Sequence, residues 1–240
     1  MLAGFLPSMA TILDSLIELL IRLPIIIIAL VVHEDAHGFV AYKLGDPTAK
    51  SRGRLTLNPA KHLDPIGALC MLLFRFGWAN PVPINPTYFK KPKLGMALSS
   101  FAGPAANIIL SFIGSFFYVL SLRGGNLILA TTQITALYTP LSYVCEFFAL
   151  FALLNMSLAI FNLIPLPPLD GSRILSIFLP QKAYFGMMKY ERYIGIGFMV
   201  VLLLDSYILG GYIIGALSFV VNFFVARLFV PFFELILFFI

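Results

Sequence analysis

Charge is scarce in this sequence: 11% of its 240 residues are Asp, Glu, Lys or Arg, against 60% that are apolar. Such a balance excludes an ordinary soluble domain, whose surface needs far more polar side chains than this chain can supply. Cysteine is nearly absent as well. Cys70 and Cys145 stand alone in apolar sequence, so there is no CxxC metal site and no disulfide framework, and buried reduced thiols are expected. A basic leader is missing too. Asp14 and Glu18 precede Arg22, so the start does not read as a cleavable signal. Internal repeats, low-complexity linkers and a separate soluble module are not visible.

Long apolar runs are what the chain has in quantity. At about 20 residues per span, they allow roughly five or six helical segments, and the expected fold is an all-α multi-pass membrane protein. Residues 1–23 read as an amphipathic lead-in, 24–180 as the main membrane core and 181–240 as C-terminal membrane helices. Spans are expected at Pro24–Leu44, with Pro24 in the first turn, at Leu94–Leu122, within Thr135–Leu163, and near Tyr184–Leu204 and Tyr207–Phe229. The alternation in Arg54-Leu55-Thr56-Leu57 predicts a short interfacial β-strand. Pro65–Trp78 is too short to span and reads as re-entrant, together with the proline-rich Asn80–Pro86. A short helix is expected at about Ser172–Leu179.

The first span carries an anomaly, His33-Glu34-Asp35-Ala36-His37. Two histidines four apart on a helix project from one face, about 40° out of line. That spacing lets both imidazoles reach one Zn²⁺ and leaves Glu34 beside it to take a proton from a water. A charge at bilayer depth costs several kcal/mol, and a divalent cation would offset it. An ion or proton transporter, which also uses buried acids and histidines, is the alternative.

Zinc needs a third protein ligand and an open position. His62, Asp64, Glu146 and Asp205 are available acids or imidazoles. Asp170 stands apart, because Pro165, Pro167 and Pro168 break the helix before it, and broken backbone at membrane depth is tolerated where it lines a cavity. Its other reading is an N-cap of the helix that follows.

Three motifs now occur in order. They are HExxH at His33–His37, GxxxN at Gly103–Asn107, and NxxPxxxxDG at Asn162–Gly171. With them the sequence resembles the site-2 protease family of intramembrane metalloproteases, peptidase family M50, from about Pro24 to at least Ile174. Ala41–Asp46, Arg54–Pro59 and Gly77–Asn85 resemble a compact microbial branch without PDZ or CBS domains. The resemblance implies a catalytic core in 24–180 that hydrolyses peptide bonds of membrane-embedded substrates. It implies one Zn²⁺ per chain on His33, His37 and Asp170, with Glu34 as general base. Asn107 and Asn162 match asparagines that would hold the substrate backbone or the developing oxyanion, and each also fits interhelical hydrogen bonding. His62, in an entrance-like run, is a further substrate-contact candidate. Asp35 departs from the usual apolar or aromatic middle of HExxH. It should point off the metal face and find a basic residue or water.

The formal net charge of +5 is read as topology and not as a nucleic-acid surface. Twelve of its sixteen lysines and arginines fall in three clusters, 43–61, 90–93 and 173–192, beside apolar spans, and such clusters mark cytoplasmic loops. If Pro65–Trp78 does not cross, all three share one side. The N-terminus then lies outside and the metal site is reached from the cytoplasmic side. The partners expected are a transmembrane substrate and the lipid bilayer.

Overall fold

The computed structural model describes residues 9–64, 67, 80–132, 134–208 and 210–238. The re-entrant segment expected at 65–78 therefore lies, apart from Gly67, outside the described residues.

Helix α1 is Met9–Lys43, followed by the short helices α2 (Thr48–Ser51) and α3 (Pro59–His62). An extended stretch and a 3₁₀ turn at Pro86–Tyr88 lead into α4, Pro92–Thr132. After it come α5 (Tyr138–Asn162), α6 (Asp170–Leu175), α7 (Gln181–Lys189) and α8 (Glu191–Tyr207). The chain ends in α9 (Tyr212–Phe224), a π-helical turn at Val225–Phe229 and α10 (Val230–Phe238). Among the described residues, three stretches are long and apolar enough to cross a membrane: Pro92–Thr131, Tyr138–Asn162 and Tyr212–Phe238. Their outer faces show Leu98, Phe101, Ile109, Phe219 and Phe223, a surface suited to hydrocarbon and not to water.

Several boundaries differ from those expected. Pro24 lies inside α1 and does not open it. The span expected near Tyr184–Leu204 is two helices, because the chain breaks at Tyr190 between α7 and α8. The last span begins later and runs on to Phe238 through the π turn. Pro231 explains that turn. It cannot donate to the carbonyl of Arg227, four residues back, and a wider turn makes room for its ring.

Among the described residues there is no strand at Arg54–Leu57. The alternation reflects inward and outward side chains, and Leu55 does reach the Gly38 face of α1. A ladder needs a neighbouring strand for the backbone, whereas the Thr56 carbonyl accepts from His62 Nε2 at 2.6 Å. Leu63 carries only an isolated bridge position.

Helix α4 is the organising element, with α5 packed along its length and α1 and α6 against it as well. Buried Ala152, Met156, Val221 and Val225 join α5 to the C-terminal helices, with Ile108 of α4 against them. Ser111 Oγ donates to the Ala152 carbonyl at 2.8 Å, an interhelical bond of the kind that small polar residues make in membranes.

Candidate metal centre

His33 and His37 are one turn apart on α1 and nearly buried, at 6% and 7% exposure. Their rings meet edge to face, with centroids 4.5 Å apart. Asp170 opens α6, and its Oδ2 lies 3.2 Å from Nε2 of both histidines. The three ligand atoms fall within 4.8 Å of one another.

The backbone around Asp170 follows from the sequence. Leu169 is extended and occupies the cap position, so Asp170 is the first helical residue and not the N-cap. An acid there also suits the positive end of the helix. Gly171 packs on the end of α5, where a Cβ would collide with the carbonyl oxygens of Leu163 and Ile164. Only glycine lets α6 start so close, and that seat delivers Asp170 to the histidines.

Gly103 does the equivalent work from α4. A Cβ there would stand 2.5 Å from Cε1 and Nε2 of His37 and 2.7 Å from Cε1 of His33. One turn earlier, the Ser99 carbonyl accepts a bond from His37 Nδ1 at 2.7 Å. A carbonyl can only accept, so Nδ1 carries the proton and the Nε2 lone pair is free for a metal. Pro104 has no N–H for the Ser100 carbonyl, so the helical ladder is already interrupted in this turn.

The residues fit zinc. Two imidazole nitrogens and one carboxylate are a common catalytic donor set with a fourth position open. Donor atoms on one tetrahedral Zn²⁺ at about 2.0–2.1 Å sit roughly 3.3 Å from each other, close to the 3.2 Å separations between Asp170 and the histidines. His37 also has the oriented outer partner typical of metal-bound histidines.

Glu34 is beside the cluster, and its Oε2 accepts the backbone N–H of Val82 at 2.8 Å. Asp35 is not part of the cluster, and the electrostatic neighbours of its carboxylate are His62 and the Thr56 backbone. Asp35 Oδ1 is buried and has no hydrogen-bond partner among the described residues, so the basic residue expected to bond it is not seen there. His62 is fully buried, donating to the Thr56 carbonyl and accepting Asn80 N–H on its own carbonyl at 2.7 Å. Asn107 lies one turn beyond Gly103, fully buried, and neither polar atom of its side chain has a partner among the described residues. Asn162 donates back to Leu158 O of its own helix at 3.0 Å. Asp64 caps Gly67 N at 2.8 Å, and Asp205 accepts from Ile213 and Ile214 at 3.1 Å. Neither joins the cluster.

The sequence reading missed the roles of Val82, Thr56 and Ser99, all of which act through the backbone. A signal for Val82 was present: in Pro81-Val82-Pro83 it is the one residue with an N–H to give.

The profile of peptidase family M50 matches residues 22–204. The chain is 47% identical over 196 residues to "Putative zinc metalloprotease YwhC" of Bacillus subtilis (strain 168), covering 80% of this chain and 84% of that one. It is 27% identical over 184 residues to Rip2 of Mycolicibacterium smegmatis (strain ATCC 700084 / mc(2)155), covering 74% and 63%. To "Zinc metalloprotease MJ0392" of Methanocaldococcus jannaschii it is 29% identical over 184 residues, covering 75% and 41%. No solved structure matches.

Proposed function

This chain belongs to peptidase family M50 and is a metallopeptidase of that family, and from that premise we propose that it cuts peptide bonds in or near transmembrane segments of membrane proteins. The observation that carries the reading is the convergence of His33, His37 and Asp170 from two distant parts of the chain. These three would hold one Zn²⁺. When bound, the ion supplies Lewis acidity, lowering the pKa of a water toward neutrality and polarising a carbonyl.

The rest of the chemistry falls to the chain. Glu34 takes a proton from the attacking water as its oxygen adds to the scissile carbonyl carbon. It then gives that proton to the leaving nitrogen as the C–N bond breaks. Asn107, with unpartnered amide atoms, would hold the substrate backbone or the developing oxyanion, and Asn162 would turn from Leu158 to do the same. His62 is buried, so any effect on substrate would pass through the Asn80 backbone that it holds. A transmembrane substrate hides its carbonyls in helical bonds and must unwind locally before attack. The extended Asn80–Pro86 stretch would meet the unwound segment by strand addition.

We place residues 24–180 as the catalytic core and 181–240 as supporting membrane helices. The basic clusters favour an external N-terminus and access from the cytoplasmic side. A transporter would use the same buried acids, but the family is one of metallopeptidases.

The test is cleavage of a single-span model substrate by purified protein in detergent. Wild type should cut it, and Glu34→Gln should retain zinc while losing at least about 10²-fold in kcat, the usual scale for a lost general base. A Glu34→Gln protein with zinc and full activity would contradict the mechanism.

A further inference from the structure

Glu34 is long and flexible, and a general base must hold hydrogen-bond distance to the proton it removes. Among the described residues of α1, none donates a hydrogen bond to the Glu34 carboxylate. The fixing contact comes from 48 residues away, the 2.8 Å bond from Val82 N–H to Oε2. A backbone donor to a carboxylate is a strong, charge-assisted bond, and it leaves Oε1 for the water.

That donor is itself held firmly. Arg54 Nη2 donates to the carbonyls of Asn80 and Pro81 at 2.7 and 3.2 Å. Asn80 N–H bonds to the His62 carbonyl at 2.7 Å, and Asn85 N–H bonds to Asp46 Oδ2 at 2.6 Å. Pro83 restricts Val82 to extended backbone. The Val82 side chain is buried against Gly38, whose Cβ, if present, would stand 3.0 Å from Val82 Cγ1. In a segment pinned at both ends, the N–H that lies between two prolines meets one carboxylate.

The geometry points to the Val82 peptide N–H, clamped by Arg54, as the device that positions Glu34 for proton transfer. Val82 and Arg54 are positioning residues in this account, which rests on Glu34 being the general base. Misplacing a catalytic group by about 1 Å costs on the order of 10²-fold in rate, so the expected effect falls on kcat.

The experiment compares Val82→Ala, which keeps the N–H, with Val82→Pro, which removes it in a backbone already flanked by prolines. Both are made in the full-length, zinc-loaded protein, with Arg54→Gln and Arg54→Lys beside them. Relative to Val82→Ala, Val82→Pro should lower kcat by about 10²-fold, with similar KM and zinc content. Arg54→Gln should lower kcat, and Arg54→Lys, which still donates to a carbonyl, should recover most of it. Equal kcat in the two Val82 variants would overturn the proposal. So would a higher kcat in Val82→Pro, which would mark the segment as a plug over the site, or a change confined to KM or zinc. If Val82→Pro fails to fold by thermal melting, the Arg54 pair decides, and wild-type kcat in Arg54→Gln overturns the account. The reading of function fails separately, if wild type does not cut or Glu34→Gln still does.

Discussion

Two glycines carry much of the site. Gly103 faces both imidazoles and Gly171 rests on the carbonyls that end α5. Gly103→Ala should force the histidines apart and weaken zinc binding by at least tenfold, measured by competition with a chromogenic chelator, while the helical signal stays intact. Gly171→Ala meets backbone that cannot step aside. It should destabilise the protein by about 1–3 kcal/mol, the usual cost of overpacking, read as a lower melting temperature in detergent. At this scale the sequence was informative about the candidate ligands and said little about their supports. His33 and His37 show themselves by helical spacing and Asp170 by the prolines before it. Ser99 and Thr56 serve through carbonyls that every residue type possesses, so no side-chain pattern marks them, and Val82 is marked only by the prolines on either side of its N–H.

Among the elements, the short segment from Asn80 to Asn85 has the most leverage. Asp46 is its far anchor, fully buried, accepting from Thr48 N, from Thr48 Oγ1 and from Asn85 N. Asp46→Asn places an amide where donors converge, and leaving one of them unmet should cost about 1–3 kcal/mol. Protease nicking within 80–86, followed by mass spectrometry, should rise together with a fall in melting temperature. Helix existence was legible because apolar runs of this length have few other solutions, whereas helix ends were not. The break at Tyr190 has no proline to announce it, and the π turn before Pro231 lets a helix pass a residue that usually ends one. The strand expected at Arg54–Leu57 failed for a further reason: alternation describes side chains, and a strand also needs a neighbour for its backbone.

For the whole molecule, α4 joins the parts: it presents Gly103 to the histidines of α1, packs against α6, which carries Asp170, and runs along α5. The chain's basic clusters should share one membrane face. With Cys70 and Cys145 replaced, single cysteines at Lys50, Lys91 and Lys182 should react with an impermeant maleimide only from the cytoplasmic side, and labelling of Lys91 from outside would refute the topology. Chelation should abolish cleavage reversibly, with activity restored by added Zn²⁺. The most direct test of the metal centre is zinc per chain, determined by elemental analysis of wild type, Glu34→Gln and Asp170→Ala after dialysis against a competing chelator. The account predicts close to one zinc in the first two proteins and a clear deficit in Asp170→Ala; a full zinc complement in Asp170→Ala, held as tightly as in wild type, would contradict it.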